Sequence, residues 1–269
     1  MPDPAGSFPV FPVAETRFGR MFTLIGDTVI GRSLRLYGEF AGDEVDSILS
    51  LVGPGDHVLD LGANIGFHTL ALARAVGPGG AVTSVEPQRF CFQLLCANVT
   101  ANQLATVHAL RAAVGDVTGT CAIPLLDPRA RHNAGATGVA PDADAGAQTD
   151  IVPLITVDSL KLPRCNLIKI DTEGFENRVV TGARQTIERH RPVLYIEVHD
   201  REKLRHLVAS LTPLGYGLTL HHTQFYRSTN PLDEGARIFP ATAGGSALIA
   251  LPAGRTLPDG LPGRLQSVG

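Results

Sequence analysis

Long apolar runs, basic clusters and paired cysteines are all missing from this 269-residue sequence. No stretch approaches the roughly 20 apolar residues that a membrane helix requires, so neither a membrane span nor a membrane partner is expected. The opening residues, MPDPAGSFPVFPVAETR, carry prolines and acids where an export signal needs a basic start and an unbroken apolar stretch. Export is therefore not expected, and a cytoplasmic location is. Lys and Arg number 23 against 26 Asp and Glu, giving a net charge of -3, and no basic run breaks that balance. Such a chain lacks the surplus of positive charge that a nucleic-acid partner demands. Cys91, Cys96, Cys121 and Cys165 stand far apart with no CxxC spacing, which favours reduced thiols packed in the core over a zinc site or a disulfide frame. No repeat recurs at solenoid periods.

What is present is an alternation of strand-like and helix-like segments. VLDL, FHTLALARAV, AVTSVE, QRFCFQLLCANVTANQ and TVHALRAAV follow one another, as expected for a doubly wound α/β fold whose mostly parallel sheet is covered by helices on both faces. The rhythm breaks between about 118 and 160, where a polar Gly/Ala/Asp stretch lies between CAIPLL and IVPLITV. This reads as an insertion with a mobile loop. It resumes with NLIKI as a buried strand, EGFENRVVTGARQTIERH as a helix, PVLYIEV as a strand and DREKLRHLVASLTPL as a helix ending at Gly215. GYGLTLHH and SALIALP are strand candidates for the sheet edge, on which His221 and His222 would face opposite ways. One domain over 51–252 is expected, preceded by an arm and cap segment (1–50) and followed by a loosely ordered Pro/Gly-rich tail (253–269).

The VLDL strand runs straight into GANIG and a helix, the context in which a glycine turn brings backbone close to a ligand. A dinucleotide fingerprint needs G-x-G-x-x-G, but counting from Gly62 the required positions hold Asn64 and Phe67. The pattern is instead Asp60-x-Gly62-x-Asn64-x-Gly66, with a carboxylate at the strand end. An acid there suits a cationic ligand better than a pyrophosphate. S-adenosylmethionine fits, since it carries an ammonium and a sulfonium and no phosphate; capping of the turn by Asp60 is the plainer alternative.

AVTSVEP then places Glu86 at the end of the next strand, 24 residues beyond Gly62. Adjacent strand ends share one crevice, and a carboxylate there can accept from both ribose hydroxyls. Asp116, in AAVGD, is a further cofactor candidate for the adenine amino group, or a plain turn residue.

In this order the segments HVLDLGANIGFHTLALA, SVEP, AAVGD, LITVDSL, NLIKIDTEGFE and RPVLYIEVH resemble the FkbM family of methyltransferases, over roughly Tyr37 to Pro252. The resemblance implies a class I methyltransferase fold, with a seven-stranded sheet whose last strand is antiparallel. It also implies transfer of a methyl group from S-adenosylmethionine to a hydroxyl of a sugar or secondary metabolite. The family's cofactor motif falls on Asp60 to Gly66 and Glu86, and its signature after the fourth strand falls on Asp171 to Gly174. The long loop before Ile151 departs from the usual pattern and leaves the acceptor open.

Parallel sheets bind ligands beyond the carboxyl ends of their strands, where this chain offers Asp171, Glu197 and His199 as catalytic candidates, in the order Asp171, His199, Glu197. Capping of the next helix is the alternative for Asp171. Glu173 is expected in the first turn of that helix, favouring its dipole. His68 reads as a surface or cofactor-side neighbour, and Tyr37 and Glu39 as a closure over the cofactor or as packing. No metal-ligand spacing is present; Mg²⁺ on the clustered carboxylates is conceivable but not indicated. Two other functions compete: a non-catalytic nucleoside-binding protein, against which the ionisable groups speak, and an NAD(P)-dependent oxidoreductase, whose glycine pattern is missing.

Overall fold

The strand–helix alternation is realised as one eight-stranded sheet with helices on both faces, described in a computed structural model for residues 11–133 and 148–268. Five strands run parallel: β3 (His57–Leu61), β4 (Ala81–Val85), β5 (Val107–Leu110), β9 (Leu167–Ile170) and β10 (Val193–Glu197). They are short and nearly all apolar, because helices cover them on both sides. Along β9 and β10 successive residues enter opposite layers. Ile168, Leu194 and Ile196 pack toward α5 (Glu176–Gly182), α6 (Arg184–His190) and α7 (Arg201–Leu211). Leu167, Val193 and Tyr195 pack toward α2 (Gly42–Ser50) and α3 (Phe67–Val76). The two-residue period of a strand divides one sequence between two cores.

The order across the sheet is β5, β4, β3, β9, β10, then β12 (Gly244–Pro252), β11 (Tyr216–Gln224) and β13 (Arg264–Ser267). β12 is antiparallel to both β10 and β11, so β11 runs in the same sense as β10 and its end lies at the carboxyl edge. Seven of these strands match the expected sheet. The eighth, β13, corrects the loosely ordered tail: Arg264 to Ser267 pair with His222 to Thr219 along the outer edge of β11. Pro and Gly shape the connection, but an unpaired strand edge offers backbone partners to whatever segment reaches it. Buried His221 receives the tail as well, its Nε2 lying 2.7 Å from the Pro262 carbonyl and its Nδ1 2.9 Å from the Tyr195 hydroxyl. Truncation after Thr256 removes the Pro262 carbonyl and the β13 ladder and leaves Nε2 only the longer contact to the Ser47 hydroxyl at 3.4 Å, at an expected cost of about 1–3 kcal/mol. A thermal melt should then fall by about 2–4 °C per kcal/mol in a chain of this size, with the cofactor site untouched.

Three further sequence readings change. Part of the expected arm is a hairpin of β1 (Val13–Thr16) and β2 (Gly19–Phe22), which sends Ala14, Phe18 and Met21 into the core beside α4 (Arg89–Ala101). TVHALRAAV divides: β5 joins the main sheet, while β6 (Ala113–Val114) joins a small one with β7 (Gly119–Pro124) and β8 (Thr149–Ile155). EGFENRVVTGARQTIERH breaks at Ala183 into α5 and α6. The segment expected to be a mobile loop falls mainly on 134–147, and residues 1–10 of the arm likewise lie outside the described residues. All four cysteines are free thiols, with Cys91 and Cys165 buried. Among the described residues no helix is long and apolar enough to cross a membrane.

Candidate functional site

A cavity of about 270 Å³ opens along the carboxyl ends of the parallel strands. Its lining follows the strand order. Glu86 and Gln88 come after β4, Gly62 to Ile65 after β3, Asp171 to Glu173 after β9, Glu197 from β10, and Phe225 and Ala243 flank the far ends of β11 and β12. Three strand steps of about 4.8 Å separate Glu86 from Glu197, or about 14 Å.

The glycine loop is fixed from both sides. Gly62 sits at φ +79°, and a Cβ on it would lie 1.7 Å from the Asp171 carbonyl oxygen. The glycine read as admitting a ligand therefore first admits the end of the neighbouring strand, although it also lines the cavity. Asn64 holds φ +50°, a left-handed conformation that asparagine tolerates. Its N–H donates to Glu86 Oε2 at 2.8 Å, while Gln88 N–H donates to Oε1 at 2.8 Å. Gly66, at φ +94°, immediately precedes α3 and abuts Leu95 of α4. Glu86 is only 6% exposed. Burial pushes its carboxyl up to about 7, against the pull of the two N–H bonds. Each of its oxygens keeps a second lone pair for a ligand hydroxyl.

Asp60 does not point into the crevice. It is fully buried, accepts from the Thr69 hydroxyl at 2.7 Å and pairs with Lys169 Nζ at 3.3 Å. An ammonium buried in the adjacent strand draws the carboxylate beneath the loop instead of toward a ligand. Lys169 reaches Asp171 Oδ2 at 3.2 Å as well. Burial works against its charge, but the Asp171, Asp60 and Glu44 carboxylates outweigh that and hold it above its ordinary range. Sequence reasoning missed this residue. Its signal was a single lysine inside the otherwise apolar LIKI. Asp116 is corrected too: it does not line the cavity but pairs with Arg178 at 2.8 Å, because the chain turns into the small sheet at β6 and carries it away.

Asp171 faces the cavity and caps nothing, since α5 begins after Phe175 without a side-chain cap. Burial raises its carboxyl well above the usual carboxylate range, Lys169 opposes this, and neighbouring Glu197 adds to it. Glu173 lies before the helix, not in its first turn; with φ +48° and Gly174 at φ +103°, the chain makes a left-handed turn that directs Glu173 to the cavity lining. His199 Nε2 is 3.1 Å from Glu197 Oε2 and 3.6 Å from Glu173 Oε2. The bond to Glu197 raises the imidazole to about 9 despite partial burial, so it carries a proton at neutral pH. These three side chains also have the spacing of a metal-ligand set, with ligand atoms within 4.8 Å of one another. His68 lines the cavity beside Glu44, at 3.6 Å, and desolvation lowers it to about 3. Tyr37 and Glu39 pack the shell of the site: the Tyr37 hydroxyl donates to the Ala236 carbonyl, and Glu39 pairs with Arg227.

Five carboxylates (Glu44, Glu86, Asp171, Glu173, Glu197) and one ammonium (Lys169) therefore line the cavity. Burial raises Glu44, Glu86 and Glu173 to about 7, so these groups are partly protonated near neutral pH, and a cationic ligand that holds them ionised is favoured over a pyrophosphate.

Comparison with known proteins agrees with this architecture. Among solved structures, an FkbM methyltransferase from Methylobacillus flagellatus KT is 19% identical with a TM-score of 0.50, over 75% of this chain and 47% of its own. This chain thus spans about half the length of that protein. Trm5b from Pyrococcus abyssi is 10% identical with a TM-score of 0.52, over 92% of this chain and 57% of its own. At these identities the likeness concerns the fold: a class I methyltransferase α/β fold with extra small sheets. No curated protein sequence matches the chain at a significant level. The model of the methyltransferase FkbM domain matches residues 60–218, more than half of the chain and all of the parallel strand ends after Asp60, and the chain belongs to the FkbM methyltransferase family.

Proposed function

We propose that the protein transfers the methyl group of S-adenosylmethionine to a hydroxyl of a small acceptor, a sugar or a secondary metabolite. The observation that carries this reading is the acid-lined cavity across the strand ends, with Glu86 held by the glycine-loop amides at one end and Asp171 and Glu197 farther along. Bound S-adenosylmethionine supplies a methyl group activated by its sulfonium. The chain's own residues bind and orient: Glu86 takes the ribose hydroxyls, the backbone of Gly62 to Ile65 borders the nucleoside, and the carboxylates offset positive charge. Displacement at an activated carbon depends largely on such positioning. The hydroxyl must still lose its proton, and Asp171 is the base in this reading, because burial makes its carboxylate more basic than usual. His199, already protonated, serves to pair Glu197 and Glu173.

Calorimetry with S-adenosylmethionine, S-adenosylhomocysteine and NAD tests the cofactor, and binding of NAD alone would overturn it. Mass spectrometry across hydroxylated acceptors then tests the reaction, as a gain of one methylene with enzyme-dependent S-adenosylhomocysteine. Glu86→Ala should weaken cofactor binding by about 1.5–3 kcal/mol, the worth of a charged hydrogen bond. The wild-type affinity should also fall from pH 8 to pH 6, on the order of the range spanned around Glu86, because below about 7 its carboxyl holds a proton and accepts less well. Glu86→Ala should flatten that slope; a slope unchanged in the variant would assign it to another group.

A further inference from the structure

We propose that the methyl acceptor is amphipathic, seating an apolar ring or chain on a wall of Phe40, Phe225 and Phe239 while its hydroxyl meets Asp171, Glu173 and Glu197. This deepens the methyl-transfer reading and depends on it. The three rings line the cavity and touch one another, with centroids 5.1 Å apart for Phe40 and Phe225, 5.7 Å for Phe225 and Phe239, and 6.3 Å for Phe40 and Phe239. They stand at the end away from Glu86. β11 runs parallel to β10, so Phe225, the residue after Gln224, emerges at the same edge as Glu197 and two strands beyond it.

The wall is built to stay in place. Arg227 grips Glu39 through two bonds of 2.6 Å, and a third of 2.6 Å joins it to Asp46, fastening the β11–β12 connection to the segment that carries Phe40. The Tyr37 hydroxyl donates to Ala236 O at 2.7 Å and accepts from Ile238 N–H at 2.8 Å, fixing the backbone next to Phe239. These clamps bind both sides of the wall to one another, with Phe40 packed at its back against the core beside Ile65 and Phe67 while still lining the cavity.

Rings of phenylalanine offer no hydrogen bond, so a hydroxyl pressed against them loses water without compensation. An acceptor polar on every side is thereby disfavoured. The opposing side carries the Asp171, Glu173 and Glu197 carboxyl groups with Thr172 and Lys169, whose polar atoms an apolar molecule cannot satisfy. One apolar face and one hydroxyl-bearing edge satisfy both.

The test uses the full chain loaded with S-adenosylhomocysteine and two matched pairs of probes: methyl and phenyl β-D-glucopyranoside, and glycerol and 3-phenoxy-1,2-propanediol. Ligand-observed saturation-transfer NMR reads binding. The phenyl-bearing member of at least one pair should bind tenfold or more tightly than its partner, with saturation strongest on the ring protons. Phe225→Ala and Phe239→Ala should abolish that advantage, and Phe239→Leu, which keeps apolar surface, should retain part of it. Retained S-adenosylhomocysteine binding shows that each variant is folded. Equal affinity within both pairs, no binding by any probe, or an advantage that survives both alanine variants would overturn the inference while leaving the cofactor reading intact. Failure of the wild type to bind S-adenosylhomocysteine would overturn the cofactor reading itself, and this inference with it.

Discussion

Gly62→Ala is expected to abolish cofactor binding and to cost more than about 4 kcal/mol of stability, a size that point substitutions reach only through a specific steric or electrostatic fault. The fault is identifiable. A Cβ at residue 62 would lie 1.7 Å from the Asp171 carbonyl oxygen and 2.7 Å from its carbon, both backbone atoms at the end of β9. Relief requires β3 and β9 to part where they bring the glycine loop and Asp171 together. Gly254→Ala is the matched control, since Gly254 has φ +86° with nothing within 4 Å of its added Cβ. The left-handed backbone penalty, about 1–2 kcal/mol, is common to both variants, so the difference between them isolates the collision. Differential scanning calorimetry and S-adenosylmethionine titration of the two proteins decide it. Equal melting temperatures would mean that the loop and strand end do not meet as closely as they do here.

Asp171→Asn is expected to lower kcat by about 10²–10⁴, the range that general-base catalysis supplies, with cofactor affinity changed only a few-fold. The amide keeps the size of the side chain, and its oxygen can still accept from Lys169. Asp60 remains paired with that lysine at 3.3 Å, so no buried charge is stranded. What the amide cannot do is take a proton. The pH profile gives an independent reading: the carboxylate is the working form, and burial together with Glu197 raises it, so the wild-type acid limb should stand well above the ordinary carboxylate value of about 4. That limb should vanish in the variant. Steady-state formation of S-adenosylhomocysteine, with and without Mg²⁺, is the measurement. A near-normal kcat would transfer the role of base to Glu197, and a loss that appears only with Mg²⁺ would make Asp171 a metal partner.

The parallel strands, their helices and the place of the glycine loop and Glu86 on the cavity were readable in the sequence, because each signal there is local. HVLDL and LIKI read as buried strands from composition, the GANIG turn from its glycines, and Glu86 from its place at a strand end. Only tertiary structure decided the rest. Asp60 and Asp116 look like ligands as long as each is seen on its own segment; Lys169 claims the first and Arg178 the second, from 109 and 62 positions away in the chain. Gly62 reads from the sequence only as a ligand contact, and its close approach to the end of β9 appears once that strand is placed beside it. The tail looks loosely ordered until the edge of β11 offers it a ladder. Phe40, Phe225 and Phe239 carry no common motif, and they become one wall because the Arg227 clamp joins segments nearly 190 residues apart. Periodicity and turn chemistry fix which residues end a strand, since those depend on near neighbours. Pairing of charges, close backbone approach and assembly of an apolar wall depend on which strands lie side by side, and that is set by packing of the whole chain.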